Sequence, residues 1–241
     1  MSYTVLLPQP ILPEGYAYLR ERGYEIIDGR GFTESDIIAD IRNADAMIVR
    51  TAKITSKIFD AAPRLKVIAR HGAGYDMVDI EAAKRNHVLV TTAGGANAIS
   101  VAELTIFYML HCSRRFKAVM SHCREDYRYA KMDIQKTELE GKTLGLIGTG
   151  HIGKLVAQKA AFGFNMRVLA YDPFARDVPD YVQMVEDRDE IFRQSDYVSL
   201  HVPAVRDTIH SISDREFELM KESAFLINTA RAGLVDEAAM M

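Results

Sequence analysis

Short apolar runs alternate with amphipathic stretches along most of the chain. In the first part the runs are Tyr3–Leu7, Tyr24–Ile27, Ala46–Val49, Lys66–Ala69 and Val88–Thr91. Between them lie Pro13–Arg22, Thr33–Asn43, Ser56–Ala61 and Asp79–Arg85, which read as helices. Thr33 stands where a helix N-cap belongs, and Gly23 follows the end of the preceding segment. The runs are short, continuous and apolar, as strands buried on both faces are. Strand–helix alternation of this kind predicts an α/β protein with a parallel sheet covered on both sides.

The pattern then changes. Ser100 to about Arg124 reads as one long helix, opened by a capping box in which Glu103 bonds back to the backbone near Ser100. From Val101 to Cys112 it is apolar on nearly all sides, which predicts burial between layers or domains. Arg124–Glu140 is more polar and reads as a linker or arm. A second alternating set follows: strand Thr143–Ile147, helix Ile152–Phe162, strand Arg167–Tyr171, a short run Val182–Val185, helix Asp187–Gln194, strand Tyr197–Leu200, helix Asp214–Lys221 and strand Ala224–Asn228. A last helix is expected to begin near Asp236. No internal repeat or low-complexity tract is visible.

Composition narrows the function classes. Thirty Lys and Arg against 33 Asp and Glu give a net charge of −3, which argues against a nucleic-acid surface. No apolar run is long enough to span a bilayer. The N-terminus has no basic region and is broken by Pro8, Pro10 and Pro13, so a secretory signal is not expected. Cys112 and Cys123, on one helix, would lie ~16 Å apart along its axis, too far to bridge. That suits a reduced, cytoplasmic protein. No Cys/His group has metal-ligand spacing, so no metal is expected.

The sharpest chemical signal is Gly148-Thr-Gly150-His151-Ile152-Gly153 between a strand and a helix. This is a G-x-G-x-x-G dinucleotide cradle in its required context. Gly148 allows the tight turn, Gly150 lets a pyrophosphate approach the backbone, and Gly153 lets helix and strand pack closely. The helix N-terminus offers N–H groups to phosphate. The next strand ends in Asp172, nineteen residues past Gly153, near the ~20 expected for the carboxylate that holds the adenosine ribose. It would repel a 2′-phosphate, and Pro173 and Phe174, not an arginine, follow it. NAD is favoured over NADP. The competing reading of Asp172 is a turn residue before Pro173.

With these residues in hand, the sequence resembles the D-isomer-specific 2-hydroxyacid dehydrogenases, the group that includes D-3-phosphoglycerate dehydrogenase. The similarity runs from Tyr3 to Ala239. It is carried by Arg70-His-Gly-Ala-Gly-Tyr-Asp-Met-Val-Asp79, by Asn97-Ala-Ile-Ser-Val-Ala-Glu103, by the glycine loop with Tyr171-Asp172-Pro173, and by Ile227-Asn-Thr-Ala-Arg-Ala-Gly-Leu-Val-Asp-Glu237. The resemblance implies a flavodoxin-like substrate domain, residues 1–98, and an NAD-binding Rossmann domain with a doubly wound parallel sheet, residues 99–241, lacking its last strands. The active site would lie in the cleft between them. The activity implied is NAD-dependent hydride transfer between nicotinamide and a 2-hydroxy/2-oxo acid. Carried over by position, Arg231 is the catalytic arginine that clamps the substrate's carboxylate and oxo group and also borders the cofactor. The loop Gly72-Ala73-Gly74 would hold the substrate carboxylate by backbone N–H groups, and Arg50 would be a substrate-side arginine. His151 and Ile152 would border the phosphates. Val202, Pro203, Thr229 and Ala230 would line the nicotinamide side. Arg50 and Arg70 lean the substrate toward 3-phosphoglycerate.

The sequence departs from the family at its end. The family's acid–base histidine and supporting glutamate lie well downstream of the arginine, and only ten residues follow Arg231 here. The chain therefore reads as truncated, with weak or absent activity expected; His71 and His201 are more simply structural or cofactor-side groups than replacements. The strand 224–228 would be a bare apolar edge, which predicts a homo-oligomer, a dimer being the simplest. A catalytically silent NAD-binding protein acting through a partner remains the alternative, with a dehydrogenase-like corepressor behind it. No nucleic-acid or membrane partner is expected beside the small 2-hydroxy/2-oxo acid.

Overall fold

The computed structural model describes residues 2–125 and 134–241. Much of the expected linker Arg124–Glu140 lies outside them. The chain divides into two compact units, Met1–Asn97 and Ala98–Met241.

The first unit runs β1 (Thr4–Leu7), α1 (Pro13–Glu21), β2 (Glu25–Asp28), α2 (Glu34–Ile41), β3 (Ala46–Val49), α3 (Ser56–Asp60), β4 (Val67–Arg70), α4 (Ile80–Arg85) and β5 (Leu89–Thr92). Its strands are all parallel in the order β2-β1-β3-β4-β5, the flavodoxin-like winding. Successive residues of β1 point to opposite faces: Leu6 packs in one core, Val5 and Leu7 in the other. Thr33 caps α2 as expected, accepting from the Asp36 N–H in a reciprocal capping box.

The second unit runs α5 (Ala98–Ser113), α6 (Phe116–Glu125), β6 (Thr143–Ile147), α7 (His151–Phe164), β7 (Arg167–Tyr171), β8 (Val182–Met184), α8 (Arg188–Gln194), β9 (Tyr197–Leu200), α9 (Asp214–Leu219), β10 (Phe225–Asn228) and a 3-10 turn, Ala232–Leu234. Its sheet order is β10-β9-β6-β7-β8, again all parallel. Counted within this unit the order is 5-4-1-2-3, the Rossmann winding as far as its fifth strand. Leu144, Leu146, Val168 and Ala170 face one core, and Ile147, Leu169, Val198 and Leu200 the other. Gly145 sits in central β6 because a Cβ there would overlap the Ser195 hydroxyl and reach 2.7 Å from Ile191 Cγ2.

The two units share a device that the sequence pattern does not reveal. Asp45 precedes β3, and its Oδ2 accepts from the Thr4 N–H at the start of the neighbouring β1 (2.9 Å), while Asp45 N–H donates to Thr4 O (2.8 Å). Asp196 precedes β9 and repeats both bonds with Thr143 at the start of β6 (2.8 and 2.9 Å). Each carboxylate then meets one cation, Arg64 at 3.0 Å and Lys221 at 2.9 Å. The Thr4 N–H, with Arg64, holds the Asp45 carboxyl below its usual range. Burial pushes Asp196 up, but the Thr143 N–H and Lys221 outweigh it and leave it lowered too.

Five expectations need correction. The long helix Ser100–Arg124 is two helices: the chain turns at Arg115, whose φ is +49°, so α5 and α6 are separate. Cys112 and Cys123 therefore sit on different helices, both as free thiols. Helix α5 begins at Ala98, before the supposed Ser100 cap, and the Glu103 carboxylate points instead toward Lys159 Nζ at 3.8 Å. Nor is α5 buried all round. Ala102, Thr105, Ile106 and Met109 are buried, while Ile99, Leu104, Phe107 and Tyr108 are exposed, because the sheet and α7 cover one face only. Finally, no helix begins at Asp236. Its N–H is drawn to Ile212 O (2.8 Å) beside the Val235–Ile212 bridge, and a turn follows.

Among the described residues no helix is long and apolar enough to cross a membrane.

Candidate functional site

In the second unit every singled-out residue outside the glycine loop lies at the carboxyl ends of the strands, and the loop leaves β6 at that same edge. The three glycines differ in what demands them. Gly148 has φ +100°, and a Cβ there would lie 2.8 Å from the His201 carbonyl oxygen and 2.9 Å from Val202 Cγ1. Gly153, in the first turn of α7, would drive a Cβ into the Gly148 carbonyl. Gly150 is the N-cap of α7 at an ordinary φ of −66°, and a Cβ there would meet nothing within 4 Å. The protein's own packing needs the first and third glycines. The second faces open space, at a helix start with no side-chain cap. Such an end offers N–H groups and a partial positive charge to an anion.

Asp172 follows β7 beside this loop. Its Oδ2 accepts from the Thr149 N–H (2.8 Å) and hydroxyl (2.9 Å), and its Oδ1 from the Phe174 N–H (2.9 Å). Burial pushes the carboxyl up, but these bonds and the Lys154 charge bring it below the usual carboxylate range. The turn role weighed for Asp172 is thus real. It does not exhaust the group, since a carboxylate offers about four acceptor positions and three bonds are made. The Lys154 Nζ donates to Arg176 O (2.7 Å), tying α7 to the segment after β7.

His201 and Val202 leave β9 against Gly148. The His201 Nε2 lies 2.9 Å from Ser199 Oγ, and burial lowers its pKa to about 4. This imidazole is neutral at pH 7. His151 is exposed and Ile152 half-buried at the start of α7, and Pro203 is exposed.

The segment after β10 is bracketed by Asn228. Its Oδ1 accepts from Ala230 N–H (3.0 Å), and its Nδ2 donates to Arg231 O (2.7 Å). The half-buried Arg231 donates from Nη1 to Ala230 O (2.8 Å). The Thr229 hydroxyl lies 2.9 Å from the hydroxyl of Thr105 on α5. Asn228, Thr105 and Thr149 were missed in the sequence. Asn228 and Thr149 stood beside motif residues, which was a usable signal; Thr105 gave none.

The first unit is organised similarly at the ends of β3 and β4. Gly72 has φ +150°, and a Cβ would lie 2.7 Å from Arg70 Nη1. Arg70 folds over its own loop, donating to His71 O (2.5 Å), and so builds the loop instead of ending in solvent. The Gly72 carbonyl accepts from Ala93 N–H (3.0 Å). Ala73 is exposed, Gly74 half-buried and His71 exposed. Arg50 is exposed and donates to Pro10 O (2.9 Å), while Gln9 bonds both the backbone and the hydroxyl of Thr51.

The chain is similar to known proteins. Residues 106–241 match the NAD binding domain family of D-isomer specific 2-hydroxyacid dehydrogenases. The chain is 37% identical over 239 residues to the hydroxypyruvate reductase of Thermotoga maritima, covering 99% of this chain and 77% of that one. It is 35% identical over 240 residues to the D-3-phosphoglycerate dehydrogenase of Methanocaldococcus jannaschii, covering 98% of this chain but only 45% of the relative's length. The solved NAD⁺-bound 3-phosphoglycerate dehydrogenase of Entamoeba histolytica superposes with a TM-score of 0.85 at 30% identity, covering 100% of this chain and 76% of that one.

Proposed function

Because the chain belongs to the D-isomer specific 2-hydroxyacid dehydrogenase family, we propose that it holds NAD at the 148–153 loop and serves hydride transfer between a 2-hydroxy and a 2-oxo acid. The observation that carries the reading is Gly150, open to solvent between two glycines locked by packing, with the ionised Asp172 beside it. In this reading the uncapped start of α7 faces the pyrophosphate, with His151 and Ile152 at its border. Asp172 takes the adenosine ribose through its remaining acceptor position. Val202, Pro203, Thr229 and Ala230 line the nicotinamide side. The cofactor, when bound, supplies or accepts the hydride.

The substrate is assigned to two sets of residues. Arg231 orients the carboxylate and oxo group by its planar fork of donors, and its charge stabilises the negative charge growing on the carbonyl oxygen. The backbone N–H groups of Gly72-Ala73-Gly74 take the carboxylate. Arg50 and Arg70 both donate to backbone carbonyls, so the lean toward 3-phosphoglycerate rests mainly on relatives that carry that name. General acid–base help, worth ~10²–10⁴ in rate, is not assigned to His201, whose Nε2 is engaged with Ser199 Oγ beside Gly148.

Titration of nicotinamide fluorescence tests this reading. The wild-type chain is expected to bind NADH at least about tenfold more tightly than NADPH. Asp172→Ala should weaken NADH about tenfold, the cost of a lost hydrogen bond to a charged group. It should also narrow the gap to NADPH, because the repelling charge is gone. Equal NADH binding by both proteins would refute the ribose assignment.

We also propose that the chain self-associates as a dimer. Among the described residues strand β10 has a neighbour on one side only, and α5 exposes Ile99, Leu104, Phe107 and Tyr108; both features invite pairing with another copy. Light scattering should return the mass of a dimer, and a stable monomer at micromolar concentration counts against it.

A further inference from the structure

Thr105 lies fully buried in the packed face of α5, beside Ala102, Ile106 and Met109. A valine would fill the same shape there, so the hydroxyl calls for a reason. Thr105 Oγ1 can donate to Val101 O, 2.9 Å away. The second neighbour of that oxygen is Thr229 Oγ1, also at 2.9 Å. A hydroxyl carries a single proton, and a carbonyl only accepts. Either hydroxyl could donate across this pair. With the Thr105 proton on Val101 O, Thr229 donates to Thr105, its proton points into the protein, and the lone pairs of its oxygen remain as acceptors.

We propose that Thr105 is a positioning residue that locks the Thr229 side chain in one rotamer and one polarity, as a hydrogen-bond acceptor for an amide N–H donor on the nicotinamide half of the dinucleotide. The inference rests on the nucleotide reading above and deepens it. Asn228 already brackets the backbone of residues 230 and 231, and the Thr105 link adds a side-chain restraint that reaches this segment from α5. It crosses 124 positions of sequence and joins the helix that opens the second unit to the segment carrying Arg231.

The test compares Thr105→Val and Thr105→Ser in the full 241-residue chain, with NADH and with ADP-ribose, which lacks the nicotinamide. Thr105→Val should weaken NADH about tenfold, as expected for one lost hydrogen bond, and leave ADP-ribose within about twofold. Thr105→Ser keeps the hydroxyl and should restore NADH binding. Adding Thr105→Val to Thr229→Val should weaken NADH no further than Thr229→Val alone, which also serves as the variant of choice if Thr105→Val does not fold. Unchanged NADH binding in both valine variants overturns the proposal, as does equal loss of NADH and ADP-ribose, the mark of a merely structural role. A wild-type chain that binds neither ligand overturns the nucleotide reading itself, and the inference with it.

Discussion

Arg231→Ala is expected to abolish measurable binding of a 2-oxo acid to the NADH-loaded protein while leaving NADH affinity within about threefold. The size follows from the chemistry. Truncating one partner of a hydrogen-bonded charge pair costs about 2–5 kcal/mol, which is roughly 30- to several-thousand-fold in affinity. The cofactor is largely spared because the segment keeps other restraints when the guanidinium and its bond to Ala230 O are removed. Asn228 holds Ala230 N–H and Arg231 O, and Thr105 holds Thr229. Arg231→Lys should recover little, since an ammonium is a point charge and does not present two parallel donors to a carboxylate. Titrating hydroxypyruvate or another 2-oxo acid into the NADH complex, followed by nicotinamide fluorescence, gives the number. Binding by Arg231→Ala equal to wild type removes the arginine from the substrate site.

What could be read in advance was what local chemistry dictates. The glycine loop was legible because a positive φ at Gly148 and the contact of Gly153 with the Gly148 carbonyl are requirements of a few neighbouring residues. The alternation of strands and helices was legible for the same reason, the apolar runs of the inner strands being buried on both faces. The break between α5 and α6 was not. Ser113-Arg114-Arg115-Phe116 contains neither glycine nor proline, and arginine is a good helix former, so nothing local announces the left-handed turn at Arg115. The apparent cap at Ser100 misled because an S-x-x-E pattern can occur inside a helix that has already begun. The turn at Asp236 is imposed from a distance by Ile212. The same holds for the pairing of Asp189 with Arg215 on the next helix, and for the Asp45 and Asp196 clamps. Long-range hydrogen bonds leave no periodicity in a sequence. The candidate site divides along this line: the residues that would touch the ligand sit in motifs, and those that hold them in place come from elsewhere in the chain.

Gly150→Ala separates binding from folding more cleanly than any other change in the loop. At φ −66° alanine fits the backbone without strain, and its methyl would meet no protein atom within 4 Å. The variant should therefore melt at the wild-type temperature, or slightly above it, since alanine has less chain entropy to lose than glycine. Yet the methyl occupies the space in front of the first turn of α7, where the pyrophosphate must approach the N–H groups at close range. NADH affinity should fall by about tenfold to a hundredfold, because overlap at this point either displaces the phosphates or breaks their charge-assisted hydrogen bonds, worth about 1.5–3 kcal/mol each. Gly148→Ala and Gly153→Ala make the contrast. Each forces a Cβ against backbone, at His201 O and at Gly148 O respectively, and Gly148→Ala adds the strain of φ +100°. Both should lose stability first and affinity as a consequence. Thermal melts alongside NADH titrations of the three variants decide the matter. If Gly150→Ala binds NADH as wild type does, the open face of the loop is not where the dinucleotide lies. If it unfolds with the other two, the glycine was serving the fold after all.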